Sequence, residues 1–293
     1  MSRRIRTYRD VADPASEDIV AQVSEQRERL ERRLADVGAT IAVASGKGGV
    51  GKSAVVANLA AALADRGLSV GAVDGDLNGP ALARMLGASG PLRVDEEGAH
   101  PADGVAGVRA ISMDLLLEAD APLEWRGSEE GVGVAREALE TGALREFLAD
   151  VVWGPLDALV LDLPPGTDAL ARTLGLIPDL DLLLLVTTPS SAARGVVARS
   201  VAAARRAEVG MVALVANMTE YRCPSCGASE PLYPDAAVEP LAESSGLDVW
   251  AEIPFEPALA SATDAGRPWV LEAPSAPAAR ALAALAERVV ETT

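Results

Sequence analysis

The sequence predicts an α/β protein: a doubly wound, mostly parallel sheet with helices on both faces. Three observations point there. Short apolar runs alternate with helical runs of ten or more residues, the mark of βαβ units. Some apolar runs are continuous, such as Leu182-Leu183-Leu184-Leu185-Val186, and strands of that kind are covered on both faces. A glycine-rich segment, Gly46 to Ser53, lies where the first strand gives way to the first long helix.

Taken in order, residues 1–15 read as loose and polar, and Ser16 to Asp36 as a charged helix with Glu25/Arg29 and Glu28/Arg32 at i,i+4. Its apolar positions, Ile19, Val23, Leu30 and Leu34, are sparse, so it is expected to pack lightly. Residues 1–37 are therefore taken as an N-terminal extension and 38–293 as one domain. The expected strands are Thr40–Ala44, Ser69–Val73, Gly107–Ser112, Ala158–Leu163, Asp181–Thr187, Met211–Ala216 and Asp248–Ile253. The expected helices are Ser53–Arg66, Val134–Ala149, Ala192–Ala207, Ala236–Ser244 and Pro277–Glu291. In such a sheet the site lies at the carboxyl ends of the strands.

Composition bounds the function. A chain of 293 residues needs no disulfide or metal to hold its core. A net charge of −17 argues against a nucleic-acid partner, which requires a field of cations. No apolar run reaches the length of a membrane span, and the last helix balances its charges around Leu282, Leu285 and Val289, so no membrane partner is expected. Two cysteines fit a reducing, cytoplasmic setting. The chain has only two lysines, Lys47 and Lys52, and both lie in the glycine-rich segment.

That segment, Gly46-Lys47-Gly48-Gly49-Val50-Gly51-Lys52-Ser53, fits G-x-x-x-x-G-K-[ST] between a strand and a helix. Its backbone N–H groups and the helix N-terminus form a cradle for phosphates. Lys52 is expected on the β/γ phosphates of ATP, and the Ser53 hydroxyl on Mg²⁺. Asp74-Gly75-Asp76 closes the second strand, and Asp76 is the candidate for positioning the attacking water. Leu159-Val160-Leu161-Asp162 is an apolar strand ending in the carboxylate expected to hold Mg²⁺, and Leu163-Pro164-Pro165-Gly166-Thr167 follows as a switch loop.

Cys223-Pro224-Ser225-Cys226-Gly227 offers two thiolates from one turn, half of a tetrahedral sulfur site. His100 is the lone imidazole. One chain cannot complete four-sulfur ligation, whereas a two-fold dimer can. A shared iron–sulfur cluster, a shared zinc ion, and a redox-active or inert thiol pair all stand open on the residues alone.

The phosphate loop with its early Lys47 resembles the deviant Walker A group of dimeric ATPases, which includes the ParA and MinD types. In that group the early lysine reaches across the dimer to the partner's nucleotide, a catalytic role that falls here on Lys47. The whole set resembles the Mrp/ApbC iron–sulfur cluster carrier ATPases, P-loop NTPases by fold. The matching segments are GKGGVGKS (46–53), VDGDLNGPALARMLG (73–87), PLEWRG (122–127), LVLDLPPGTD (159–168), VTTP (186–189), VANM (215–218), CPSCG (223–227), IPF (253–255) and DAGRP (264–268). The resemblance implies a homodimer that hydrolyses ATP, carries a bridging [4Fe–4S] cluster on Cys223 and Cys226, and passes it to apo-protein clients. It also implies an adenine contact for Asn217. Ser190 stands where the family often has glutamine, and Gly166-Thr167 runs straight into Asp168. The alternative is a ParA/MinD-like partitioning or positioning ATPase with a structural zinc or an inert thiol pair.

Overall fold

The computed structural model describes residues 25, 27–77, 79–90, 92–115, 141–142, 144–223, 225–233 and 238–293. The expectations on residues 1–24, 122–127 and 134–140, and Pro224 of the cysteine motif, lie outside them.

The strands are β1 (Val37–Ala44), β2 (Val70–Asp74), β3 (Arg93–Val94), β4 (Ala99–His100), β5 (Ala102–Asp103), β6 (Arg109–Ile111), β7 (Leu156–Asp162), β8 (Leu182–Thr187), β9 (Met211–Arg222), β10 (Ser229–Pro231) and β11 (Val249–Phe255). The helices are α1 (residues 27–34), α2 (Lys52–Asp65), α3 (Leu82–Met85), α4 (residues 144–150), α5 (Thr167–Leu174), α6 (Ala193–Arg206), α7 (Val238–Ser245), α8 (Pro257–Asp264), α9 (Trp269–Glu272) and α10 (Pro277–Thr292). Nine strands form one sheet in the order β10-β9-β8-β1-β7-β2-β6-β5, with β11 paired to β9, while β3 and β4 form a separate hairpin. Only β5 and β10 run antiparallel to their neighbours in that sheet.

Side-chain alternation splits the core in two. Ile41, Val43, Val160, Leu182 and Leu184 face one layer, where α2 and α10 bury Leu59, Leu63, Leu282 and Leu285. Ala42, Ala44, Leu161, Leu183 and Leu185 face the other, where α4 and α6 supply Leu148, Val197 and Val201. Each fully buried aliphatic side chain of this kind contributes about 1.5–3 kcal/mol. The doubly wound sheet expected from the sequence is the sheet observed. The stripe Leu282, Leu285 and Val289 on the last helix is buried in that core.

Besides the short α3, β3, β4, β5 and β10, the structure departs from the expected elements in three places. Strand β9 does not stop at Ala216 but runs on to Arg222, because β10 and β11 supply partners for its second half. Helix α5 begins directly after the switch loop; its Leu170 and Leu174, one turn apart, are both buried. Helices α8 and α9 fill what reads as loop before the last helix. Each is eight residues or fewer, too short for helical periodicity to stand out. In α1, Glu25/Arg29 and Glu28/Arg32 pair as expected, each at 3.9 Å on the surface. Leu30 of that helix is buried against the core with Phe147 and Leu148, so α1 is seated rather than loosely laid on.

Candidate functional site

The carboxyl ends of β2, β7, β1, β8 and β9 lie side by side, and the phosphate loop crosses above them. After Ala44 the chain leaves β1 through Ser45 and turns through Gly46–Gly51 into α2, whose first residue is Lys52. Lys47, Gly48 and Gly49 form an exposed crown, and Val50 is buried beneath it. Gly51 has φ +80, and a Cβ there would lie 2.3 Å from Asn217 Nδ2, so only glycine fits.

Lys52 and Asp162 form a buried ion pair through Nζ and Oδ1. Burial pushes the Asp162 carboxyl above the usual carboxylate range; the Lys52 ammonium and hydrogen bonds from Lys52 and Ser53 act against that. The second oxygen, Asp162 Oδ2, is buried with no hydrogen-bond partner. An unpaired buried oxygen is normally satisfied by a ligand or water. Beside it stands the hydroxyl of Ser53. Hydroxyl and carboxylate oxygens are the donors Mg²⁺ prefers, so these residues fit that ion. Ser45 Oγ and Thr188 Oγ1, at the ends of β1 and β8, are likewise buried without partners.

Asp76 is half-buried, and its charge adds to the upward push on Asp162, which places it on the same crevice. Its amide donates to Asp74 Oδ1 at 3.2 Å. Sequence reasoning missed the part Asp74 plays. Fully buried, Asp74 also accepts hydrogen bonds from the amides of Ala81 and Leu82, each at 2.9 Å, and from Ser112 Oγ at 3.0 Å. It thereby ties both ends of the loop carrying Asp76. Burial, then the charge of Asp162, pushes the Asp74 carboxyl up to about 7. The available signal was its position as the last residue of an apolar strand, the layout that singled out Asp162.

The switch loop is pinned to β1 by Leu163 N–H to the Val43 carbonyl and Gly166 N–H to the Ser45 carbonyl, both at 2.9 Å. Thr167 and Asp168 open α5. Lys47 is exposed, with Nζ 3.4 Å from Ser190 Oγ. Asn217 donates from Nδ2 to the Val50 carbonyl at 2.8 Å, which sets it against the phosphate loop.

Cys223 and Cys226 lie apart from this cluster, at the turn between β9 and β10. Cys223 N–H bonds the Ala228 carbonyl at 2.8 Å, and Gly227 N–H bonds the Cys223 carbonyl at 2.9 Å. Both thiols are free. Backbone N–H groups of Cys226 and Ser225, with the Cys226 thiol, draw the Cys223 thiol below its usual range. His100 is bonded to Asp95 at 2.8 Å on the β3–β4 hairpin, and β5, two residues on, is the opposite end of the sheet from β10. No imidazole of the same chain therefore approaches the cysteines.

A phosphate loop, a buried carboxylate at the neighbouring strand end and a doubly wound sheet define a P-loop nucleotide-binding protein. The comparisons carry this further. Residues 36–290 match the ParA-group model of the NUBPL iron-transfer P-loop NTPase, and the chain belongs to that family. It is 36% identical over 266 residues to the iron-sulfur cluster carrier protein of Saccharolobus solfataricus, covering 90% of this chain and 86% of that one. Its fold is similar to the nucleotide-binding protein of Archaeoglobus fulgidus in complex with ADP, with TM-score 0.71, 32% identity, and coverage of 86% and 94%. The cell division ATPase MinD of Pyrococcus furiosus is also similar, with TM-score 0.62, 25% identity, and coverage of 87% and 100%.

Proposed function

We propose that this protein is an ATP-hydrolysing iron–sulfur cluster carrier, whose cargo is a [4Fe–4S] cluster held between two copies of the chain and handed to apo-protein clients. One observation carries the reading. The cysteine turn, on a strand that also touches the phosphate loop, offers two free thiols and no further sulfur or imidazole donor. Four-cysteine ligation then requires a second copy. A partition ATPase that binds DNA through a basic face is disfavoured by the net charge of −17.

In this reading Lys52 would turn from Asp162 to the β/γ phosphates, and Ser53 and Asp162 would hold Mg²⁺, whose charge would offset that of the phosphates. Gly46 to Gly51 present backbone N–H groups to the phosphates. Asp76 positions the attacking water, Lys47 reaches the partner's nucleotide, and Asn217 borders the adenine. In this reading the setting is the cytoplasm, where a thiol pair stays reduced and able to hold a cluster; Cys223 and Cys226 form no disulfide with each other.

The test is anaerobic reconstitution followed by iron, sulfide and zinc analysis and measurement of mass in solution. A brown dimer with ~2 Fe per chain is the expected result for four-cysteine ligation of one cube per two chains. A colourless dimer with one zinc would overturn the reading, and a brown monomer with a full cluster would overturn the bridging geometry.

A further inference from the structure

Strand β9 joins the two halves of the site without a break. Its pairing to β8 ends at Ala216. The next residue, Asn217, is buried and donates to the Val50 carbonyl of the phosphate loop. The one after that, Met218, has φ +58, a left-handed conformation inside a strand. Few side chains other than glycine, asparagine or aspartate adopt it without strain. Opposite this point the register slips: Ile253 faces Asn217 and Phe255 faces Tyr221, so two steps along β11 span four along β9. The kink lies directly against the loop, since a Cβ on Gly51 would come within 3.4 Å of Met218 Cε.

Both sides of the kink are held. On the far side Thr219 Oγ1 donates to the Ile253 carbonyl at 3.3 Å, Tyr221 pairs with Glu230, and the Tyr221 and Phe255 rings lie 6.5 Å apart. Arg222 ends the strand, and Cys223 follows. On the near side, Val50 C=O and Gly51 N–H belong to one planar peptide and point in opposite directions. Asn217 holds the carbonyl end. A phosphate drawn to the N–H end pulls on the same rigid plane. Strained residues held in place by their surroundings are where a chain can be re-aimed.

We propose that Met218 is a positioning residue whose left-handed kink transmits nucleotide occupancy of the phosphate loop to the Cys223–Cys226 turn. Nucleotide tightens the hold on Asn217, and the turn beyond the kink opens less often. This goes beyond cluster carriage and does not depend on it, because it concerns the thiols whether or not they hold iron.

Cys223 and Cys226 are the only cysteines in the chain, so a thiol reagent reads this turn alone. Cys226 is exposed and reacts without any opening, so the reporter is the half-buried Cys223 alone. Reduced, iron-free Cys226→Ser protein, with Met218 as the wild type and its variants made in the same background, is mixed with Ellman's reagent, with and without Mg²⁺ and saturating ADP. ADP is expected to slow the reaction at least about fivefold, the lower end of ordinary coupling between two sites. Met218→Gly relaxes the backbone at this position; it is expected to keep ADP affinity within about twofold, a small change in binding free energy, while the protection falls below about twofold. Met218→Asn, which tolerates the left-handed conformation, is expected to keep the protection. Equal rates with and without ADP in the wild type would overturn the proposal, whatever the variants do. So would full protection in Met218→Gly, or its loss in a folded, ADP-binding Met218→Asn. A protein that reconstitutes no cluster but passes this test would sink carriage and leave the coupling standing.

Discussion

The nucleotide end and the cysteine end of this molecule are built on opposite principles. Asp162 and Asp74 are buried at the ends of core strands and Lys52 at the start of α2, where every ionised oxygen either has a partner or waits for one. Cys223 and Cys226 sit on a hairpin whose short strand β10 is exposed throughout, closed by two backbone hydrogen bonds. Buried charge is expensive unless paired, so the first region cannot change without consequences for the fold. The second has almost no packing to lose. Under the proposed function, the site that grips phosphate is set in the core, and the site that meets a second copy and a client is set at the rim.

The strongest way to break this contrast is Lys52→Ala. It removes the phosphate contact and leaves Asp162 buried without its cation. Breaking a buried pair in this way costs about 3–5 kcal/mol. Nucleotide binding should be lost and the midpoint of urea unfolding should fall clearly. Wild-type nucleotide affinity in a fluorescent-nucleotide titration would sink the assignment of the phosphate loop.

Next in size is the pH response of Asp74. Its folded value, about 7, lies above the ordinary aspartate value of 3.8, so its contribution is fully present below 3.8 and is lost as pH rises through about 7. That interval corresponds to about 4 kcal/mol as an upper bound, at ~1.36 kcal/mol per pH unit. Asp74→Asn keeps an oxygen for the Ala81 and Leu82 amides and removes the titration. Nucleotide-free wild type should lose stability between pH 5 and 8 by urea titration, and the variant should lose less. Identical slopes would remove Asp74 as the cause.

At the rim the expectation reverses. Cys226→Ser should shift unfolding by less than about 0.5 kcal/mol, as for an exposed position. It should nevertheless abolish the cluster, because a hydroxyl stays protonated and is a poor iron ligand, while nucleotide affinity is kept. Loss of nucleotide binding in this variant would show that the two ends are not separately built.

How much of this was legible in the sequence follows the same division. The core strands and the phosphate loop read out directly, because continuous apolar runs and glycine spacing are local signals. Asp162 was visible as a carboxylate ending an apolar strand. Asp74 sits in the same layout, yet its clamp on Ala81, Leu82 and Ser112 depends on how a loop and a neighbouring strand fold back. The extension of β9 past Ala216 was hidden for a similar reason: its partners, β10 and β11, come later in the chain. The left-handed Met218 has no sequence mark, since methionine is not a residue that favours it.

Lys47 gives the smallest expected effect on stability and the sharpest test of the contrast, because it belongs to the nucleotide loop by sequence and to the rim by exposure. Among the described residues its one hydrogen bond is the 3.4 Å approach of Nζ to Ser190 Oγ, too long and too exposed to contribute much. Lys47→Ala should therefore unfold like the wild type and keep ATP affinity within about tenfold, a ~1.4 kcal/mol allowance. Under the proposed function its work lies in turnover, when the partner's nucleotide faces it. Steady-state hydrolysis should fall much further than affinity, and the deficit should not be repaired by raising ATP. Undiminished turnover would make Lys47 an ordinary surface lysine. A fall in affinity as large as the fall in rate would place it among the residues that grip the chain's own phosphates, on the buried side of the division with Lys52.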